Sequence, residues 1–439
     1  MKAIMRDKAE LRDSGIEWIG DIPENWTLSK IKYHISGYKA GPFGSSLITS
    51  KLDHDGELLV YTPEHVAKKS TNIDGNLYLP INRKEEMSQF LVSSGDVVFP
   101  IVGSLGRAMQ IEDNMPNGII NQRLAKFCIS ESNIIPSYFM WLFGKSTFYE
   151  TYIELFSRGS IIVNLTKQIV GNMPLPLPSV IEQQDIINYL DDRCSKIDTI
   201  IAEAKASIEE YKELKISMVN DAVTHGIKDN ADIDSDIDWI GKIPANWRIM
   251  IMKRLFKIRK DIAGKEGYTV LSITQRGIVP KNFKENGQFA ADYSNYQLVN
   301  RGDFAMNHMD LLTGWVDISE YDGVTSPDYR VFVPTGYEEI YKPYYKYVMQ
   351  NCYSCKIFYG LGHGVSGFGR WRLPKDMFLN FKVPLPPIEE QKEIASYIDN
   401  NLQKLDALIS TKQSLIEDLE SYQKSLIYEV VTGKRKVVD

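Results

Sequence analysis

Arginines, amides and histidines set beside glycine or serine are the residues of this chain best suited to do chemistry. Lys39 precedes Gly41-Pro42-Phe43-Gly44-Ser45-Ser46, Arg107 closes Gly103-Ser104-Leu105-Gly106, and Gln122 and Arg123 follow Asn121. Arg158 and Ser160 flank Gly159, with Asn164 just beyond. Farther on come Arg276, Asn307, His308, Tyr329 and Arg330. A glycine-rich run from Gly360 to Gly369 then carries His363 and Ser366 and leads into Arg370-Trp371-Arg372. Arginine pairs with a guanine edge, asparagine or glutamine with adenine, and glycines let backbone approach a phosphate. Lys51, Lys68, Lys69, Lys281 and Lys284 suit phosphate contacts at most. Each of these residues, taken alone, is also an ordinary loop residue.

Catalytic patterns are missing. Gly144-Lys145-Ser146 ends like a phosphate-binding loop, but Phe139 stands where its first glycine belongs. HExxH does not occur. Cys352-Tyr353-Ser354-Cys355 is a lone CxxC, and zinc needs about four ligands. Pro327-Asp328 with Glu338-Glu339 lacks the ExK of a metal-dependent nuclease, and no methyltransferase cofactor loop or base pocket is visible. The expectation is binding without catalysis and without a metal.

The elements that must position these residues are written twice. Trp18-Ile19-Gly20-Asp21-Ile22-Pro23-Glu24-Asn25-Trp26 returns as Trp239-Ile240-Gly241-Lys242-Ile243-Pro244-Ala245-Asn246-Trp247. Pro176-Leu177-Pro178 with Glu182-Gln183 returns as Pro384-Leu385-Pro386 with Glu390-Gln391. A long run follows each Pro-rich phrase, with apolar residues alternating at three and four. The first stripe includes Ile187, Leu190, Cys194, Ile197, Ile201 and Ile208; the second includes Ile398, Leu402, Leu405, Ile409, Ile416 and Leu419. Lys215 and Gln423 interrupt the two stripes at equivalent positions. Such spacing over five heptads predicts a coiled-coil seam, and ~43 residues at 1.5 Å each would span ~64 Å. Each stripe needs a partner, and the chain supplies a matching one, so the two helices are expected to pair antiparallel about a pseudo-twofold axis. Between the repeats, Leu91–Phe99 and Leu298–Met306 share a turn-then-strand phrase, which predicts two mixed α/β inserts of one fold with different side chains.

The fold class expected is therefore α/β (α+β), with two recognition domains and two long helices. By residue number, 1–27 is an N-terminal segment, 28–175 the first domain and 176–226 the first helix. A solvated linker with the second Trp motif follows at 227–248, then the second domain at 249–383 and the second helix at 384–439. The net charge of −6 is unevenly spread: residues 249–382 carry 18 basic and 13 acidic side chains, whereas 182–224 carry 5 and 10. The inserts thus tolerate a polyanion and the framework does not. Four cysteines, no apolar run near ~18 residues and no signal-peptide core fit a cytoplasmic protein without a membrane span.

The phrase Trp-Ile-Gly-x-Ile-Pro-x-x-Trp, then Pro-Leu-Pro and Glu-Gln before a long helix, resembles the specificity subunit of type I restriction-modification enzymes. The likeness covers essentially the whole chain at Trp18–Trp26, Pro176–Gln183, Trp239–Trp247 and Pro384–Gln391; Ser179-Val180 departs from the Pro387-Ile388 step of the second copy. The resemblance implies a non-catalytic subunit whose two target recognition domains each read half of a bipartite site in double-stranded DNA. The helices would act as the ruler of the spacer. It further implies two methyltransferase subunits and restriction/translocase subunits as partners, with S-adenosylmethionine, ATP and Mg held by those partners. Two other readings stay open: an autonomous DNA methyltransferase or nuclease, and a coiled-coil scaffold that binds protein only.

Overall fold

In a computed structural model the chain divides into two units, residues 1–203 with 414–439 and residues 204–413. The structure describes residues 1–42, 52, 54, 56–102, 107–130, 133–157, 165–228, 231–282, 292–364 and 371–438. Two uninterrupted helices, Val180–Thr224 and Ile388–Val431, contribute to both units. Neither contains a glycine or proline, so nothing in their sequence breaks the helical hydrogen-bond ladder.

The apolar stripes of these helices meet within each unit. Ile187, Leu190, Cys194, Ile197, Ile201 and Ile416 are buried in the first unit and Ile208 and Ile398 in the second. Leu402, Leu405, Ile409 and Leu419 are half-buried. In the second unit the Lys215 ammonium lies 2.6 Å from Asp406, and the Lys412 ammonium 5.8 Å from the centre of the Tyr211 ring. In the first unit Gln423 Nε2 donates to Asp198 Oδ1 at 2.9 Å and to the Cys194 carbonyl at 3.5 Å. Residue numbers rise on one helix as they fall on the other, so the pair is antiparallel. Asp198 and Asp406 hold the same place in the repeat, as do Gln423 and Lys215. Both polar interruptions are thus met by the same carboxylate. Asp406 is largely exposed, and such pairs are worth about 0–1 kcal/mol, so this contact sets register more than stability.

The repeated motifs are clasps. Trp26 donates its indole N–H to Glu182 at 3.0 Å, and Arg6 pairs with the same carboxylate. Glu390 accepts from Asn246 Nδ2 at 3.2 Å. Gln183 is fully buried; its amide donates to the Asn133 and Pro178 carbonyls and accepts the Ile135 N–H. Gln391 is its counterpart, donating to the Pro386 carbonyl at 2.9 Å and accepting the Tyr341 N–H at 2.7 Å. The glycine after each long helix has positive φ, Gly226 at 79° and Gly433 at 75°. A Cβ at either would crowd the Trp motif, 3.0 Å from Trp247 or 2.4 Å from Pro23. Only glycine meets both demands cheaply.

Two features differ from the sequence expectation. The Pro-rich phrases are strands rather than mere entrances to helices. Pro174–Leu177 pairs antiparallel with Thr27–Lys30, and Lys382–Leu385 with Arg248–Ile251. Prolines fit because a two-stranded ladder leaves half the N–H positions unused. The expected solvated linker contains a strand, Asp232–Asp234, paired with Lys242–Pro244. Its counterpart near the N-terminus, Leu11–Asp13, pairs with Asp21–Pro23. In the first unit Lys2–Met5 also pairs antiparallel with Arg435–Val438, which ties the two ends of the chain together.

Each recognition domain is built on one antiparallel four-stranded sheet of the same order. In the first it runs Ile35–Ala40, Leu124–Ile129, Asp96–Pro100, Met109–Gln110. In the second it runs Phe256–Arg259, Arg330–Pro334, Phe304–Met306, Val316–Ile318. Aromatic rings fill the space between sheet and helices, with Phe99, Phe127, Phe139 and Phe143 in contact in one unit and Phe256, Phe304, Phe332 and Tyr345 in the other. Among the described residues no helix is long and apolar enough to cross a membrane.

Replacing Gln391 with alanine strands a buried N–H at Tyr341 and a carbonyl at Pro386. At about 1–3 kcal/mol per unsatisfied group, Gln391→Ala should cost about 2–6 kcal/mol in denaturant unfolding. A loss below about 0.5 kcal/mol would contradict the clasp.

Candidate nucleic-acid interface

The second unit gathers five of the residues singled out in the sequence. His308, Tyr329, Arg330, His363 and Arg372 line one cleft of about 670 Å³. Each arrives from a different element. His308 follows the strand Phe304–Met306, and its carbonyl accepts the Leu373 N–H at 3.0 Å. Tyr329 ends a turn closed by its N–H to the Ser326 carbonyl at 3.0 Å, directly before the strand that starts at Arg330. Gln297, nearly inaccessible, clamps that turn by donating to the carbonyls of Ser326 and Tyr329, both at 2.7 Å. His363 and Arg372 exchange two backbone hydrogen bonds, at 2.9 and 3.1 Å. They flank the glycine-rich run of the sequence, whose Ser366 and Arg370 lie outside the described residues.

The cleft is cationic. Lys260, Arg330, Arg372 and Lys375 line it against the single carboxylate of Asp328. Burial, and then the charges of Arg330 and Arg372, push the His308 imidazole down to about 3, so it is neutral at pH 7. A neutral imidazole can both donate and accept, which suits a base edge. Arg330 departs from the expectation of an open loop arginine. It is buried, donates to the Leu373 carbonyl at 3.1 Å and lies 4.7 Å from the Phe378 ring. Burial lowers its guanidinium to about 10, which leaves it charged. It serves as the cationic wall of the cleft and adds its charge to the burial that keeps His308 neutral, rather than reaching outward. Lys260, Gln297 and Lys375 were not singled out in the sequence; no local pattern sets them apart, and the sheet brings them in, together with Asp328 of the rejected nuclease pattern.

The other candidates are placed separately. Asn307 adjoins His308, but its Oδ1 accepts the Met309 N–H at 3.2 Å. Arg276 is exposed at the tip of the hairpin Leu271–Thr274/Gly277–Pro280. In the first unit Gln122 and Arg123 are exposed in the turn before Leu124–Ile129, the position that Asp328 and Tyr329 occupy in the second. That turn packs on Gly41, where a Cβ would fall 1.9 Å from the Asn121 carbonyl oxygen. Lys39 lies on the edge strand Ile35–Ala40 with its ammonium 5.3 Å from the Phe90 ring centre. Arg107 is exposed. Ser45, Ser46, Arg158, Ser160 and Asn164 lie outside the described residues. Among the described residues no group of three histidine, cysteine or acidic side chains could hold a metal ion.

The two four-stranded sheets share one topology and are carried on a repeated helical framework. Residues 249–420 match the family described as the type I restriction modification DNA specificity domain. The chain is 25% identical over 432 residues to the type I restriction enzyme MjaVIII specificity subunit of Methanocaldococcus jannaschii, covering 95% of this chain and 94% of that protein. It is 24% identical over 446 residues to the putative MjaX specificity subunit of the same organism, covering 95% and 96%. In fold it is similar to the HsdS subunit from Thermoanaerobacter tengcongensis, with a TM-score of 0.53 at 13% identity over 94% of this chain and 98% of that one. A chain solved in work on assembly and conformational transition of the type I R-M system gives a TM-score of 0.67 at 14% identity, over 94% and 99%. Over nearly its whole length the chain is thus similar to type I restriction-modification specificity subunits, and residues 249–420 match the family's DNA specificity domain.

Because the folded His308 titrates below the unfolded value of about 6.5, only the unfolded state takes its proton as pH falls from about 6.5 toward 3, and stability declines there. In an NMR titration, the histidine signal lost in His308→Gln should show no protonation above pH 5. A midpoint near 6.5 would contradict the assignment.

Proposed function

We propose that each unit reads one half of an asymmetric, bipartite DNA site and that the long helices set the number of base pairs between the halves. The observation that carries this reading is the shared sheet with unlike reading residues. The same pre-strand turn presents Gln122 and Arg123 in one domain and Asp328 and Tyr329 in the other. Like scaffolds with unlike side chains read unlike sequences. In the second unit His308, His363 and Arg372 would meet base edges, with Lys260 and Lys375 on phosphates. In the first, Lys39, Arg107, Gln122 and Arg123 would do so, with Ser45, Ser46, Arg158, Ser160 and Asn164 as further candidates.

The partners proposed are two methyltransferase subunits and restriction/translocase subunits, which would hold S-adenosylmethionine, ATP and Mg; this chain would hold none of them, and the setting would be the cytoplasm. Ile200 and Leu408 hold equivalent places in the repeat, as do Leu214 and Tyr422, and all four are exposed. Repeated exposed apolar positions fit two copies of one partner protein.

Exchanging residues 28–172 for the corresponding segment of another family member should change one half-site only. Sequencing of methylated DNA tests this, and a change in both halves, or in neither, would overturn modular reading. Adding one heptad to each long helix, after residues 203 and 413, keeps the seam in phase and adds about 10 Å. The same assay should then show both half-sites intact and the spacer altered by about three base pairs, at ~3.4 Å each. An unchanged spacer would remove the ruler role.

A further inference from the structure

Each unit contains a cleft where its recognition domain meets its share of the long helices, and the two clefts fall at the same place in the repeat. The first, of about 370 Å³, is walled by Cys194, Ile427 and Trp141. The second, of about 570 Å³, is walled by Leu402, Val219 and Tyr347. The aromatic wall is fixed alike in both. Trp141 donates its indole N–H to Asp191 at 3.1 Å, and Tyr347 donates its hydroxyl to Asp399, the equivalent residue of the second helix.

Their charges differ. In the second cleft Lys215 is paired with Asp406, and Lys212 with Glu209 at 2.8 Å. In the first, Lys69, Lys145 and Arg107 line the wall, and none of them has an ion pair with a carboxylate among the described residues. Asp198 is the acidic side chain lining this cleft, and it already accepts the Gln423 amide. The Lys145 ammonium sits over the Trp141 ring, 3.6 Å from its centre. Lys69 is held by a left-handed turn, φ 48°, that ends the helix Pro63–Lys68. Burial and the neighbouring charge of Lys145 lower the Lys69 ammonium below its usual range. The Asp198 carboxylate offsets part of this, but three cations face that one carboxylate, and the surplus favours an anion between them.

We propose that the cleft lined by Lys69, Lys145 and Arg107 is an oxyanion site that takes a backbone phosphate of bound DNA. The assignment rests on the DNA-reading role of the first unit. Arg107 belongs at once to this cleft and to the glycine-rich segment 103–107 that is a candidate for base reading. A phosphate held there would set the register of the duplex against that segment and carry no sequence information itself. In the second unit's cleft Glu209 and Asp406 neutralise Lys212 and Lys215, which leaves Lys356 without a second unpaired lysine beside it, and that cleft would take none.

The test compares the full chain with Lys69→Gln/Lys145→Gln, using a short duplex of mixed sequence across a range of salt, and inorganic phosphate as a second probe. Each lost phosphate contact lowers the slope of log K against log salt by ~0.9. The double variant should therefore lose about 0.9 from the slope, with unchanged sequence preference and an unchanged melting temperature in phosphate-free buffer. The control Lys212→Gln/Lys356→Gln, in the other cleft, should leave the slope as it is. An equal fall in the control would mean general charge loss and would overturn the site. An unchanged slope in the Lys69/Lys145 variant would overturn it too. If inorganic phosphate still raised the melting temperature of the wild type alone, the cleft would be a free-anion site instead. Absence of duplex binding by the wild type would defeat the recognition role itself, a distinct outcome.

Discussion

Everything in this chain depends on two apolar stripes, one on each long helix, pairing antiparallel inside one polypeptide. A stripe of this kind cannot remain in water without cost, and burying a side chain such as Leu190 or Ile398 is worth about 1.5–3 kcal/mol. The polar breaks at Lys215 and Gln423 would weaken any seam, yet each is met by the equivalent aspartate of the facing helix. A slip by one heptad would set them against Gln413 and Lys205 in one direction, and in the other against Asp399 and Asp191, which already accept from Tyr347 and Trp141. Register is therefore written by the two polar contacts, while the apolar positions supply the stabilisation.

The repeated phrases at the helix ends anchor the recognition domains to that seam. Glu182 and Glu390 take hydrogen bonds from the Trp motifs, Gln183 and Gln391 clasp the domains' own backbone, and Gly226 and Gly433 let the chain turn against the motifs. These residues answer only to the framework, so they recur unchanged while reading residues on turns differ. The division of labour explains why Glu182 and Glu390 match, whereas Arg123 and Tyr329 do not.

The long helices were legible because their information is local: a 3–4 spacing without glycine or proline announces itself within one segment. The common fold of the inserts was legible from the phrase at Leu91 and Leu298. The pairing of Lys2–Met5 with Arg435–Val438, and of Thr27–Lys30 with Pro174–Leu177, was not, because each ladder joins segments far apart in sequence and prolines mask a strand. The cleft shows the same limit. His308, His363 and Arg372 stand out as residue types, but their convergence depends on a sheet and on the two backbone hydrogen bonds between His363 and Arg372. Arg330 looks like a reading residue in sequence; only its burial reveals that it acts on its neighbour His308. Gln297, which fixes the turn at Tyr329, carries no sequence signal at all.

The most direct measurement is lysine cross-linking of the full-length chain, read by mass spectrometry on a mixture of isotopically heavy and light protein. Lys196 and Lys424 lie at matching levels of the antiparallel pair, on either side of the Asp198–Gln423 contact. The account predicts a Lys196–Lys424 link found only in all-heavy or all-light peptides. Mixed heavy–light links, or a link from Lys196 to Lys404 as a parallel pair would give, would contradict it.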